Sequence, residues 1–182
     1  MSSVSDKGEG PEPAHPADRR STEADLARQQ PHASELRRLV EQSLWANRLW
    51  IEFVHSQLEP ESRPRELLGH LVVAERVWLD RIDGEQKTPE MFPTLQKGEL
   101  LRGLDENHRR CIDLMTGARL EDVIHFRRDT GEQYHARIAD IILHLVTHGH
   151  HHRGQLAMHY GRKGVSDYPS ADHIDFLIAN AL

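Results

Sequence analysis

Between Ile138 and Tyr160 the chain reads I-A-D-I-I-L-H-L-V-T-H-G-H-H-H-R-G-Q-L-A-M-H-Y, and this stretch constrains the fold more than any other. At 100° per residue, with Leu145 as origin, Ile138, Ile141, Ile142 and Leu156 lie within roughly 60° of it. That is the core-facing sector of an amphipathic helix. His148 and His152 fall in the same sector at i, i+4 spacing, so their rings stand about one turn apart on one face. His144 and His151 sit at its edge, and His150 points away. An imidazole on a buried face costs free energy unless something satisfies it. A hydrogen-bonded core histidine is one solution and a divalent metal is another, and the spacing favours the metal for this pair. Two histidines do not close a metal site.

The third ligand has to come from elsewhere in the chain. A first helix is expected from Ser34, a suitable N-cap, to Leu58, with Leu36, Leu39, Val40, Leu44, Trp50, Ile51, Val54 and Leu58 as its stripe. Asn47 lies on that stripe, where a buried amide needs a hydrogen bond to a neighbouring helix. A second helix, from about Pro64 to Ile82, turns Leu67, Leu71, Ala74, Trp78 and Ile82 inward, and Gly84 ends it. His70 shares that face. Alone it reads as a core histidine; beside the His148/His152 pair in an antiparallel bundle it becomes the third ligand.

T-P-E-M-F-P, Thr88 to Pro93, reads as a loop. A third helix over about Leu95 to Thr116 buries Leu100, Leu104, Cys111, Leu114 and Met115. Cys111 on that stripe is a small core residue and not a nucleophile. From Leu120 to Tyr134 the period changes to alternation, Ile124 and Phe126 against His125 and Arg127, with turn chemistry at Asp129 to Gly131. This predicts a short hairpin or extended excursion. The histidine helix then runs from about Ala136 to Arg162, and a short last helix follows Ser170 as its cap. The fold class is all-α: a four-helix bundle with a short β-like excursion before the fourth long helix and a short C-terminal helix.

Residues 1–31 are rich in Pro, Gly, Ser and charged residues and cannot bury enough surface to offset their ordering entropy, so they are expected to form a disordered tail before a domain spanning residues 32–182. A formal net charge of −6 argues against nucleic acid as partner. No long apolar run predicts a membrane span, and the N-terminus lacks a signal-peptide pattern. With Cys111 as the single cysteine, a cytoplasmic protein is expected. Histidine is the compositional anomaly: of 14 in the chain, half lie between His135 and His159.

H-G-H-H-H-R-G-Q, His148 to Gln155, resembles the H-x-x-x-H-R-G-Q signature of the DinB/YfiT-like family of bacterial metal-binding proteins. W-A-N at Trp45 to Asn47, G-H-L-V-V-A-E-R-V-W-L at Gly69 to Leu79 and D-x-x-D-F-L at Asp172 to Leu177 follow in the family's order. The resemblance implies a four-helix bundle, commonly a homodimer, with a divalent metal held by His70, His148 and His152, the trio that helix geometry also selects. It implies as well a reaction with a small-molecule substrate, in most active members a transfer or isomerisation dependent on a low-molecular-weight thiol.

Three neutral imidazoles leave a metal position open, as in a catalytic site, and would suit Zn²⁺, Ni²⁺ or Fe²⁺. The ion would activate a bound thiol or water. A metal-dependent S-transferase is therefore the first expectation; a metal-dependent hydrolase and a non-catalytic, stress-related metal- or ligand-binding protein are the alternatives. Glu75, Tyr134, His144, His151 and His159 are candidates for proton transfer or for orienting a ligand. In R-G-Q, Arg153 is expected to tie helices together and Gly154 to allow a close helix approach.

Overall fold

A computed structural model of the chain describes residues 23–58, 61–117, 119–127, 130–170 and 172–181, with side chains of the first helix described from residue 33 onward. Among these residues the elements are α1 (Glu23–Ser56), α2 (Ser62–Ile82), α3 (Lys97–Thr116), β1 (Val123–Arg127), β2 (Gln133–Arg137), α4 (Ile138–Gly161) and α5 (His173–Ala179). The protein is mainly helical with one small antiparallel sheet. No described helix is long and apolar enough to cross a membrane.

α1 does not start at Ser34. Its backbone is helical from Glu23 through Pro31, so Ser34 lies inside the helix and not at its N-cap position. E-A-D-L-A-R-Q-Q is made largely of strong helix formers, and that local propensity outweighs the shortage of large apolar side chains. The remainder of the expected tail, residues 1–22, lies outside the described residues. At the other end α1 stops at Ser56, where Ser56 Oγ and Gln57 Nε2 both donate to the Phe53 carbonyl, at 2.8 and 3.0 Å. Leu58, expected on the stripe, is fully exposed.

The other boundaries follow from local chemistry. α3 begins at Lys97 because Gln96 and Glu99 form a reciprocal capping box, with the Gln96 N–H donating to Glu99 Oε2 at 2.8 Å. α2 closes at Gly84, whose φ of +83° places it in the left-handed region. The expected excursion is a hairpin pairing Ile124 with Ala136 and Phe126 with Tyr134. Ala136 is thereby held in a strand, so α4 starts at Ile138 and not at Ala136; Asp129 of the expected turn lies outside the described residues. Before α5, Ser170 Oγ accepts from the Asp172 N–H at 3.2 Å and donates to the Asp175 carboxylate, but the N-cap position belongs to Asp172.

α1 and α2 each lie against both α3 and α4. Their shared interior is divided into two apolar clusters. One gathers Val40, Leu79, Cys111, Leu114, Ile138, Ile141, Ile142 and Leu145; the other gathers Trp50, Val54, Leu68, Leu71, Leu100, Leu104, Leu156 and Tyr160. Between them, each helix contributes buried polar side chains: Ser43 and Asn47 from α1, Glu75 from α2, Asn107 from α3 and Arg153 from α4. Arg153 is completely buried and donates to Asn47 Oδ1 at 2.7 Å and Ser43 Oγ at 3.3 Å. Asn107 Nδ2 donates to the Val72 carbonyl at 2.9 Å and to Glu75 Oε2 at 3.3 Å. Arg153 thus ties α4 to α1, as expected, and Asn47 is its acceptor. The glycine that makes room is Gly149, where a Cβ would stand 2.9 Å from Arg153 Nη1; Gly154 has open space around it and permits no close approach.

Candidate metal centre

The α2 stripe carries His70 inward, and the α4 face carries His148 and His152 at i, i+4 spacing. Because α2 and α4 are packed against each other, the three rings meet. Ring centroids are 5.1 Å apart for His70 and His148, 4.7 Å for His70 and His152, and 4.4 Å for His148 and His152. Nε2 of His148 stands 3.3 Å from Nε2 of His70 and 3.1 Å from Nε2 of His152. Two nitrogens bound to one ion at about 2.05 Å and a near-tetrahedral angle stand about 3.3 Å apart, so this spacing fits a shared divalent ion.

Hydrogen bonding fixes which nitrogens are free. His70 Nδ1 faces the Met91 carbonyl at 2.9 Å; a carbonyl only accepts, so the proton is on Nδ1 and Nε2 keeps its lone pair. His152 Nδ1 donates to Gln155 Oε1 at 2.9 Å, and Gln155 Nε2 donates to His151 Nε2 at 3.0 Å. His148 can offer at most one proton from Nε2, which cannot satisfy both facing nitrogens. A cation at the point of convergence satisfies all three, and the partners on Nδ1 are those that orient a metal-ligating histidine.

The electrostatics agree. Burial pushes the pKa of all three rings down, and His148, with His152, His70 and His144 also close by, falls to about 4. Near neutral pH the rings are therefore uncharged, the form that binds a metal. His70 and His152 are buried and His148 is partly exposed, which leaves one side of the cluster open.

The wall over His70 was not visible in the sequence as more than a loop. Phe92 stacks on the His70 ring at 4.2 Å between centroids and 7° between planes, and the Arg63 guanidinium lies 5.4 Å over Phe92. Gly69 is what lets this loop come so close: a Cβ there would stand 1.9 Å from the Pro93 carbonyl oxygen. A glycine directly before His70 and an aromatic–proline pair in the following loop were the available signals.

The remaining candidates separate. His151 touches the Gln155 amide and so acts on His152 at second hand. His144 packs on Trp78 and His148, at 5.3 and 5.5 Å between centroids. Glu75 faces inward to a cavity of about 30 Å³ that Ser43, Asn107, His108 and Cys111 also line, and burial raises its pKa to about 7. His159 pairs with Glu61 at 3.0 Å, and Tyr134 donates to Glu132 at 2.6 Å on β2. Neither His159 nor Tyr134 belongs to the three-histidine cluster. Cys111 is buried, and its thiol is pushed up to about 12 by desolvation and by the charge of Glu75.

The chain matches no curated protein sequence. The family profile of the DinB superfamily matches residues 21–156, starting two residues before α1 and taking in His70, His148 and His152 together with the R-G-Q that follows. With the match spanning most of the chain, the protein belongs to the DinB superfamily.

Proposed function

We propose that this protein is a divalent-metal enzyme in which His70, His148 and His152 hold Zn²⁺, Ni²⁺ or Fe²⁺, built on the four-helix bundle of its superfamily, and that it transfers a low-molecular-weight thiol of the cytoplasm to an electrophilic small molecule. The convergence of the three Nε2 atoms of His70, His148 and His152 carries this reading. A divalent ion held by three neutral imidazoles acidifies a bound thiol or water and so supplies a nucleophile at neutral pH. The chain's part is to present the three lone pairs: Met91 and Gln155 hold His70 and His152 in the required tautomer. Phe92 covers His70 from solvent on one side, while His148 borders the open side. Cys111, buried and held protonated, is unsuited to act as nucleophile, which supports an external thiol. A homodimer belongs to the same reading; Ile174 and Ile178, one turn apart on α5, stay exposed and available to a second copy.

The test is a reaction screen on the untagged, metal-loaded protein with model electrophiles, with and without added thiols. Thiol-dependent turnover that disappears in His148→Ala is the expected result. Turnover without thiol would replace the transfer reading with metal-dependent hydrolysis, and metal uptake without any turnover would replace it with a binding role.

A further inference from the structure

A groove of about 430 Å³ runs beside the three-histidine cluster, lined by Arg63, Leu67, Gln155, Met158, His159, Arg162 and Lys163. Its volume is that of a small-molecule site. It shares structure with the cluster: Gln155 is both a wall of the groove and the acceptor of the His152 Nδ1–H. Leu67 precedes His70 by one turn of α2, and Arg63 lies over the Phe92 ring that stacks on His70.

The lining has one sign of charge. Arg63, Arg162 and Lys163 are cationic, and among the described residues no carboxylate lines the groove. Two acidic residues stand nearby. Glu61 engages Lys163 and His159, and its carboxyl is held below the usual range chiefly by the Lys163 hydrogen bond. Glu66 reaches Arg63 only at 3.7 Å. Arg162 has no carboxylate partner among the described residues, at a helix terminus where its guanidinium is exposed. An arginine fork matches an oxyanion bidentately, and the groove offers two, one loosely paired and one with no carboxylate partner among the described residues, together with apolar contact from Leu67 and Met158.

We infer that this groove binds the carboxylate or phosphate end of an amphiphilic organic anion, seating the rest of the molecule toward the three histidines. This deepens the proposed function by giving its substrate or thiol a negative charge at the end remote from the reacting group.

Calorimetric titration of the metal-loaded, full-length protein with hexanoate and hexyl phosphate, against hexanol and hexylamine, reads the inference directly. The anions should bind about tenfold or more tighter than the neutral and cationic probes. Arg63→Ala/Arg162→Ala should remove that preference and Arg63→Lys/Arg162→Lys should retain part of it, with affinities compared per folded, metal-loaded chain. Equal binding of all four probes would overturn the inference. So would anion binding that survives the double alanine substitution, since the carboxylate would then be sitting on the metal or elsewhere. The difference between hexanoate and hexyl phosphate tells which oxyanion is preferred. The probes carry no thiol and the variants keep all three histidines, so failure here leaves the metal centre standing, and failure of metal uptake leaves the arginine dependence readable.

Discussion

His152 has two jobs that can be separated by mutation: Nε2 faces the shared point, and Nδ1 is held by Gln155. Replacing any of the three histidines by alanine should reduce bound metal from about one ion per chain to near none, because two imidazoles do not close a site. Gln155→Leu leaves the three nitrogens in place but frees the His152 ring, and should weaken metal affinity by about 10–100-fold. Competition with a chromogenic chelator measures both effects. Cys111→Ser should keep metal and any turnover while losing on the order of 1–2 kcal/mol of stability, since a hydroxyl replaces a packed sulfur. Chemical denaturation and specific activity per metal-loaded chain separate those outcomes; loss of turnover in a folded, loaded variant would make the protein's own sulfur the nucleophile.

Packing between elements sets the site's precision. The loop after α2 is seated through Gly69, so Gly69→Ala drives a Cβ against the Pro93 carbonyl and displaces the Met91 oxygen that orients His70. Alanine is the better helix former by about 1 kcal/mol, so a weaker metal affinity in this variant would report the loop and not the helix; unchanged affinity would show the loop to be dispensable.

The polar layer gives a second prediction. Glu75 is raised from 4.5 to about 7 because burial disfavours its charge more than Asn107 and Arg153 favour it. A carboxyl whose folded pKa is raised contributes stability below its unfolded value and loses it as pH climbs through the folded value. Wild type should therefore match Glu75→Gln near pH 4.5 and fall behind it by on the order of 3 kcal/mol by about pH 7.5. Denaturant midpoints of the two proteins across that window decide it; parallel curves would mean that Glu75 is ionised and compensated throughout.

At the scale of the whole molecule, periodicity was a good guide wherever burial follows helix phase: Ile138, Leu145 and Leu156 are in the core, and His70, His148 and His152 share one point. It was a poor guide where local chemistry decides. E-A-D-L-A-R-Q-Q has the propensity of a helix without the stripe of one, so α1 starts at Glu23, ahead of the first apolar stripe residue. Gly149 and not Gly154 makes room for the Arg153 guanidinium and Ser43, which depends on where the Arg153 side chain turns and not on helix period. The Met91–Pro93 wall and the Arg63–Arg162 groove join residues far apart in sequence through side-chain direction, which no period encodes.

A bound ion that joins α2 to α4 should also stabilise the entire fold, raising the melting temperature with free metal concentration. The most direct test of the metal centre is elemental analysis of the untagged protein combined with metal-edge X-ray absorption. The arrangement described here predicts about one divalent ion per chain, with three imidazole nitrogens at about 2.0–2.1 Å, lost in His148→Ala. An ion that stays bound in His148→Ala, or a protein that takes up none, would contradict it.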